Sequence, residues 1–200
     1  MTSWLGEAPP GGTPLDPEER EQLLPSWIAD REGLNRAEAE NILAARLEWR
    51  RKQLTLERLL TERSVRDLHA DMFGDVWAWA GKYRLSGKTI GIDWWQITEV
   101  VANLVADTRI RVSGTTPMPL DEAACRFRHR LVEIHPFPNG NGRHSREMTD
   151  LLVWVAGGER FSWGRANLTI TTSAARRTYI GALQAADRGD HRPLLDFVRS

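Results

Sequence analysis

A chain of 200 residues with 41% hydrophobic content can bury one sizeable core but not two large ones, so one domain with a small N-terminal addition is expected. Lys and Arg number 27 against 27 Asp and Glu, which excludes whole-molecule attraction to nucleic acid or an anionic membrane and leaves any phosphate chemistry to local arginines. The single Cys125 excludes an internal disulfide framework. With no apolar run near the roughly 20 residues a bilayer demands, and Glu7 and prolines at the N-terminus, the expectation is a soluble, cytoplasmic protein with no membrane partner and no direct nucleic-acid partner.

Residues 1–14, with Pro9, Pro10, Gly11, Gly12 and Pro14, read as a flexible N-terminal arm. Residues 15–63 read as a helical extension. In it Asp16, Pro17 and Glu19 supply a helix cap, a first-turn proline and the acid of a capping box for a short helix to residue 24. Asn35 with Glu38 repeats that pattern ahead of Ile42, Leu43, Leu47 and Trp49, and another helix starts within 54–60. The main domain, 64–200, opens with Ser64 as cap. Val65, Leu68, Met72, Phe73 and Val76 follow at helical spacing, through Trp77 and Trp79 to a stop at Gly81.

Over residues 83–92 the helical period disappears, and Gly87 between short polar and apolar runs predicts a small hairpin or extended flap. Helical spacing returns at Ile97, Val100, Val101, Leu104 and Val105, then at Leu120, Ala123, Ala124, Phe127, Leu131 and Ile134, where Pro136 disfavours helix at His135. Another helix is expected from about residue 142 to 155, stopped by Gly157 and Gly158, and the last two over 172–187 and 192–199. Most of the nine tryptophans read as helix packing, with indole N–H groups reaching partners at the core edge. The fold class is therefore all-α, a helical bundle with a small β-hairpin flap.

Chemistry concentrates between two apolar helices, in Ile134, His135, Pro136, Phe137, Pro138, Asn139, Gly140, Asn141, Gly142, Arg143, His144, Ser145 and Arg146. Glycines flanking Asn141 let the backbone take positive φ and turn successive N–H groups into one anion-binding concavity, and a helix beginning there adds its positive dipole end. Arg143 and Arg146, three apart, share one helix face and can both reach that anion. His135 has a reference pKa near neutral, which suits a general base, and Phe137 anchors the loop in the core. His129, His135 and His144 lack the spacing of a zinc hydrolase, and no P-loop is present. Arg126, Arg128 and Arg130 alternate along a helix and so spread over different faces, a weak signal for nucleic acid.

The run resembles the Fic signature, His-x-Phe-x-(Asp/Glu)-Gly-Asn-Gly-Arg-x-x-Arg, at His135, Phe137, Gly140, Asn141, Gly142, Arg143 and Arg146. The segment from Trp79 through Ala80, Gly81, Lys82 and Tyr83 to Arg84 looks like that family's approach to its target-docking flap, and 179–197 like its closing helices. The whole chain is similar to the bacterial subfamily called mobile mystery protein B. The resemblance implies the Fic fold and a protein adenylyltransferase: His135 deprotonates a Tyr, Thr or Ser hydroxyl of a target protein, which attacks the α-phosphate of ATP. Gly140, Asn141, Gly142 and Arg143 would hold phosphates, Arg146 the γ-phosphate end, and Ile90, Gly91, Ile92 and Asp93 would clamp the target backbone by strand-like pairing.

Asn139 stands where the family has an acid that binds Mg²⁺, so metal affinity is expected to be weaker. That substitution keeps open an alternative, a nucleotide-binding, antitoxin-regulated module with weak catalysis or another transferred phosphate-containing group. Many relatives are restrained by a helix bearing (Ser/Thr)-x-x-x-Glu-(Gly/Asn), whose glutamate pairs with the second motif arginine. The nearest match is Glu40 with Asn41, although Arg36 departs from the pattern. Failing an internal restraint, an antitoxin-like helix-turn-helix partner would supply it.

Overall fold

The structure, a computed structural model, describes residues 14–165 and 174–200, so most of the 1–14 arm and the first residues of the 172–187 helix lie outside the described residues. In chain order it forms α1 (Pro17–Arg20), α2 (Arg31–Arg51), α3 (Leu56–Leu59), α4 (Glu62–Phe73), α5 (Ile97–Ser113), α6 (Leu120–Ile134), α7 (Asn141–Val155), α8 (Ala174–Asp187) and α9 (Arg192–Arg199). Helix α6 is the centre of the bundle. It packs on α7 and α5, while α2 covers α4 and α8 pairs with α9. The apolar positions that recur along α4 to α7 meet in one core, in which Met72, Phe73, Ile97, Val101, Phe127, Ile134, Phe137, Met148 and Leu152 are fully buried. No helix among the described residues is long and apolar enough to cross a membrane.

Helix starts differ from the sequence reading where a nearer cap exists. Helix α2 begins at Arg31 because the Asp30 carboxylate accepts the Gly33 N–H at 2.7 Å, so Asn35 and Glu38 lie inside the helix. Thr61 caps α4 in place of Ser64, whose N–H it receives at 3.0 Å. Helix α1 ends at Arg20, short of residue 24, because the Leu24 N–H goes to the Val76 carbonyl and the Ala78 N–H to that of Gln22. The same pairing pulls Trp77 and Trp79 out of α4, which stops at Phe73, and leaves Leu23 and Trp77 as an isolated antiparallel bridge.

Residues 83–92 form no hairpin ladder. Two of their backbone N–H groups turn instead to the end of α6 and the loop after it: that of Arg84 donates to the Pro136 carbonyl at 3.0 Å and that of Ile92 to the Ile134 carbonyl at 3.3 Å. The tryptophan expectation holds for Trp49, Trp77, Trp79 and Trp163, whose indole N–H groups reach Asp71, Glu38, the Glu19 carbonyl and Asp150. Trp27, Trp94, Trp95 and Trp154 are exposed.

Candidate functional site

Helix α6 ends in His135, which adopts left-handed geometry (φ 53°, ψ 59°), and α7 begins one short loop later behind Gly140, itself at φ 77°. A β-carbon on Gly140 would lie 2.6 Å from the Phe73 ring, so glycine is required there for both reasons. Gly142 does not take positive φ; it sits in the first turn of α7, where a β-carbon would meet open space. The anion concavity expected from paired glycines is thus the N-terminus of α7 alone. No side chain caps that terminus, and the chain's first two bonds to the Gly140 carbonyl come from Arg143 and His144. The N–H groups ahead of them are those a helix start offers to an anion.

The loop is shaped from inside. Asn141 is buried, and its amide accepts the Phe137 N–H at 2.9 Å while donating to the Phe137 carbonyl at 2.8 Å, so its side chain sets the turn. The Asn139 amide oxygen accepts the Gly140 N–H at 2.7 Å. Phe137 is fully buried, its ring stacked 3.7 Å from His69. His69 accepts the Gly81 N–H at Nδ1, which leaves Nε2 to donate to the Asn139 carbonyl.

Arg84, buried under the flap, escaped sequence reasoning as a site residue. Its Nε donates to the His135 carbonyl at 2.7 Å, Nη1 to that of Ser86, and Nη2 to those of Ile92 and Ile134. It therefore ties flap and motif together at the strained residue. Gly91, at φ 109°, presses on the same spot: a β-carbon there would stand 2.8 Å from that of His135 and 2.7 Å from Arg84 Nη2. Ile90, Gly91 and Asp93 are exposed, while both backbone polar groups of Ile92 are already spent on Ile134 and Arg84.

His135 is only 6% exposed. Burial, then the positive charge of Arg84, pushes its pKa down to about 4, against a hydrogen bond to the Val132 carbonyl that raises it. The near-neutral value expected from sequence is corrected accordingly: the ring is neutral throughout the physiological range, the form in which an imidazole can accept a proton.

The two motif arginines are treated differently. Arg143 Nη1 donates to Glu38 Oε2 at 2.6 Å, and its guanidinium lies 4.9 Å from the Phe73 ring centre. The other Glu38 oxygen accepts the Trp77 indole N–H at 2.8 Å. Glu40, the nearest match to the restraint motif, is exposed on a solvated helix face, and Asn41 pins α2 to the α4 end through the Asp71 carbonyl and the Asp75 N–H. Two residues apart on one helix, the two acids lie about 200° apart around its axis, so with Glu38 facing the bundle Glu40 faces solvent. Arg146 makes no ion pair among the described residues, and its neighbour Glu147 is taken by Arg46 of α2. Among the described residues no three acids, histidines or cysteines group as a metal site.

Three buried histidines set the pH response of the fold. Burial, foremost, holds His144 at about 3 and His69 well below 6.5, as it does His135 at about 4. Between those values and 6.5 the unfolded chain binds more protons, so stability falls as pH drops. Asp150, raised to about 6 mainly by burial, works the other way, gaining a folded-state proton first. Three groups against one give a net loss of roughly 2–3 kcal/mol per pH unit below pH 6.5. The melting temperature by circular dichroism should therefore fall steeply from pH 6.5 to 5; a constant or rising value would contradict the buried neutral histidines.

Residues 59–153 match the sequence model of the Fic/DOC family. Over 142 residues the chain is 28% identical to "Protein adenylyltransferase VbhT" of Bartonella schoenbuchensis, covering 67% of this chain and 29% of that protein. Over 121 residues it is 30% identical to "Protein adenylyltransferase fic-1" of Caenorhabditis briggsae, covering 60% and 22%. The chain thus spans less than a third of the length of these curated relatives. The fold is shared with the crystal structure of BepC from Bartonella tribocorum, solved with bound AMPPNP: TM-score 0.64 at 17% identity, over 92% of this chain and 97% of that one.

Proposed function

This chain belongs to the Fic/DOC family, and from that premise we propose that it is a protein adenylyltransferase, which moves AMP from ATP to a Tyr, Thr or Ser hydroxyl of another protein. The observation that carries the reading is a buried imidazole, neutral at cellular pH, at one lip of a loop whose other lip is an uncapped helix start followed by two arginines. The target hydroxyl gives its proton to His135, and its oxygen forms the new bond to the α-phosphorus. The bond from that phosphorus to the bridging oxygen breaks, and pyrophosphate leaves with the electron pair.

In this reading the α7 N-terminus at Asn141 and Gly142 and the Arg143 guanidinium receive phosphate oxygens, and Arg146 neutralises the leaving end. Gly140 and Asn141 keep the loop in shape. Ile90, Gly91 and Asp93 offer the backbone edge for the target, with Ile92 as its anchor. The loop does not fit a resident Mg²⁺: its one candidate ligand, Asn139, is an uncharged amide whose oxygen is bound to the Gly140 N–H. Mg²⁺ would come as part of the metal–ATP substrate.

Glu38 takes the inhibitory role for which Glu40 was the nearest sequence match, acting on Arg143. A cytoplasmic toxin whose antitoxin-like helix-turn-helix partner acts on α2 fits this arrangement, since such a partner need not supply the acid itself.

Incubation with cell lysate should transfer label to protein from α-labelled but not γ-labelled ATP. Transfer of the γ label would overturn the adenylyl assignment in favour of a phosphotransferase.

A further inference from the structure

Residues 85–91, the outer part of the flap, make no backbone–backbone hydrogen bond among the described residues. The flanking bonds, from Arg84 to Pro136 and from Ile92 to Ile134, fix only its two ends. What holds the stretch between them is side-chain contact. Buried Arg84 supplies part of it, donating through Nη1 to the Ser86 carbonyl at 2.7 Å. Helix α1, far upstream in the chain, supplies the rest.

The Lys88 side chain is 3% exposed, and its ammonium lies 2.5 Å from Glu19 Oε2 and 2.9 Å from Asp16 Oδ2. The Ser86 hydroxyl donates to that same Asp16 oxygen at 2.9 Å. Both acids belong to the start of α1, where Glu19 Oε2 also accepts the Asp16 N–H at 2.8 Å. One carboxylate thus closes the helix turn and holds the flap. Helix α1 is in turn fixed to the core. Leu15 is buried, the Trp79 indole N–H donates to the Glu19 carbonyl at 3.2 Å, and the Leu24 and Ala78 N–H groups pair with the Val76 and Gln22 carbonyls.

A buried ammonium between two carboxylates adds little net stability, because desolvation offsets much of the attraction, yet removing either side leaves charge buried without its partner. Such a cluster therefore favours one arrangement over its neighbours. The contacts continue from it to the reacting residue: Ser86 links Asp16 to Arg84, and Arg84 Nε holds the His135 carbonyl. Thr89, Ile90 and Gly91, next along from Lys88, are exposed, so the α1 contacts leave that edge open. We propose that α1 is a strap for the flap: Asp16 and Glu19, through Lys88 and Ser86, are positioning residues that pre-order residues 85–91 for a protein substrate and have no part in holding nucleotide. A pre-ordered edge lowers the ordering cost of docking, so the effect falls on affinity for the protein substrate. The substrate half of this rests on the function proposed above; the hold of α1 on the flap does not.

Three measurements on the full chain test it: chemical reactivity of Lys88, deuterium exchange of the flap, and α-label transfer over a dilution series of lysate. In the parent, Lys88 should react with an amine-acetylating reagent more slowly than the exposed Lys82. Asp16→Asn with Glu19→Gln removes both charges and keeps side chains able to cap α1. Lys88 should then react about tenfold faster, and the hydrogen-bonded Arg84 and Ile92 amides should exchange more readily, while ATP affinity stays within about twofold. Transfer in dilute lysate should drop by about tenfold and recover, at least in part, at concentrations that saturate the parent, a change in KM and not in kcat. Lys88→Met, which cuts the same contacts from the flap side, should repeat the exchange and transfer results, and Lys88→Arg should restore them. That pair serves if the double variant does not fold. Unchanged exchange at Arg84 and Ile92 in the folded variants, a matching fall in ATP affinity, or the same fall in transfer at saturation as in dilute lysate would overturn the strap. If the parent transfers no label but flap exchange still depends on the two acids, the adenylyltransferase reading fails and the hold of α1 on the flap stands.

Discussion

His135→Ala should lower the rate of label transfer from α-labelled ATP by about 10²–10⁴-fold, the usual contribution of a positioned general base, while ATP binding stays nearly unchanged. The split follows from position: the imidazole lies at the end of α6, whereas the anion donors lie on α7. Because the backbone at 135 is left-handed, His135→Asn is the better-matched control. Asparagine tolerates that conformation and still lacks a base of suitable strength. The pH profile separates a base from a structural residue. A solvent-exposed histidine would lose activity on protonation near 6.5, but with its pKa pushed down to about 4 the rate should not titrate between pH 8 and 6.5. Either variant keeping its rate within about tenfold of the parent would assign the base to another group.

Elements governed by local pattern were legible in the sequence. The apolar spacing of α4 to α7, the glycine stop after α7, the exclusion of His135 from helical geometry and the burial of Phe137 all appear in the structure. The loop between α6 and α7 stood out in the sequence as the candidate site, because its glycines, histidine and arginines are contiguous. Competition between caps was not. Asp30 and Asn35 are both good N-caps, and the earlier one prevails, so Glu38 lies inside α2 and not in a capping box. Buried cations were also hidden, since Arg84 and Arg128 look like any arginine until a distant segment covers them: the flap and α6–α7 connection for the first, Trp163 and Tyr179 for the second. The flap was read as a hairpin from its own sequence, yet its hydrogen bonds belong to the α6–α7 connection, a non-local preference that strand propensity does not carry.

Glu38→Gln should raise ATP affinity by roughly ten- to a hundredfold and increase transfer with it, the range expected when a charge-assisted hydrogen bond no longer competes for Arg143. In the ligand-free protein the Glu38 carboxylate holds Arg143 at one oxygen and the Trp77 indole at the other. Where phosphate draws Arg143 Nη1 away, that carboxylate is left buried with a single donor, a cost subtracted from binding. Glutamine keeps an oxygen for Trp77 and nearly the same volume but removes the charge, so α2 stays docked through Asn41 and the Arg46–Glu147 pair. Arg143 is partly exposed and can be hydrated in the variant, which limits the loss of stability to roughly 1–3 kcal/mol. Glu40→Gln, on the exposed face of the same helix, should change neither affinity nor rate. Isothermal titration with ATP across the three proteins decides the matter. Equal affinities for the parent and a folded Glu38→Gln protein would remove Glu38 as a restraint and return that role to a partner.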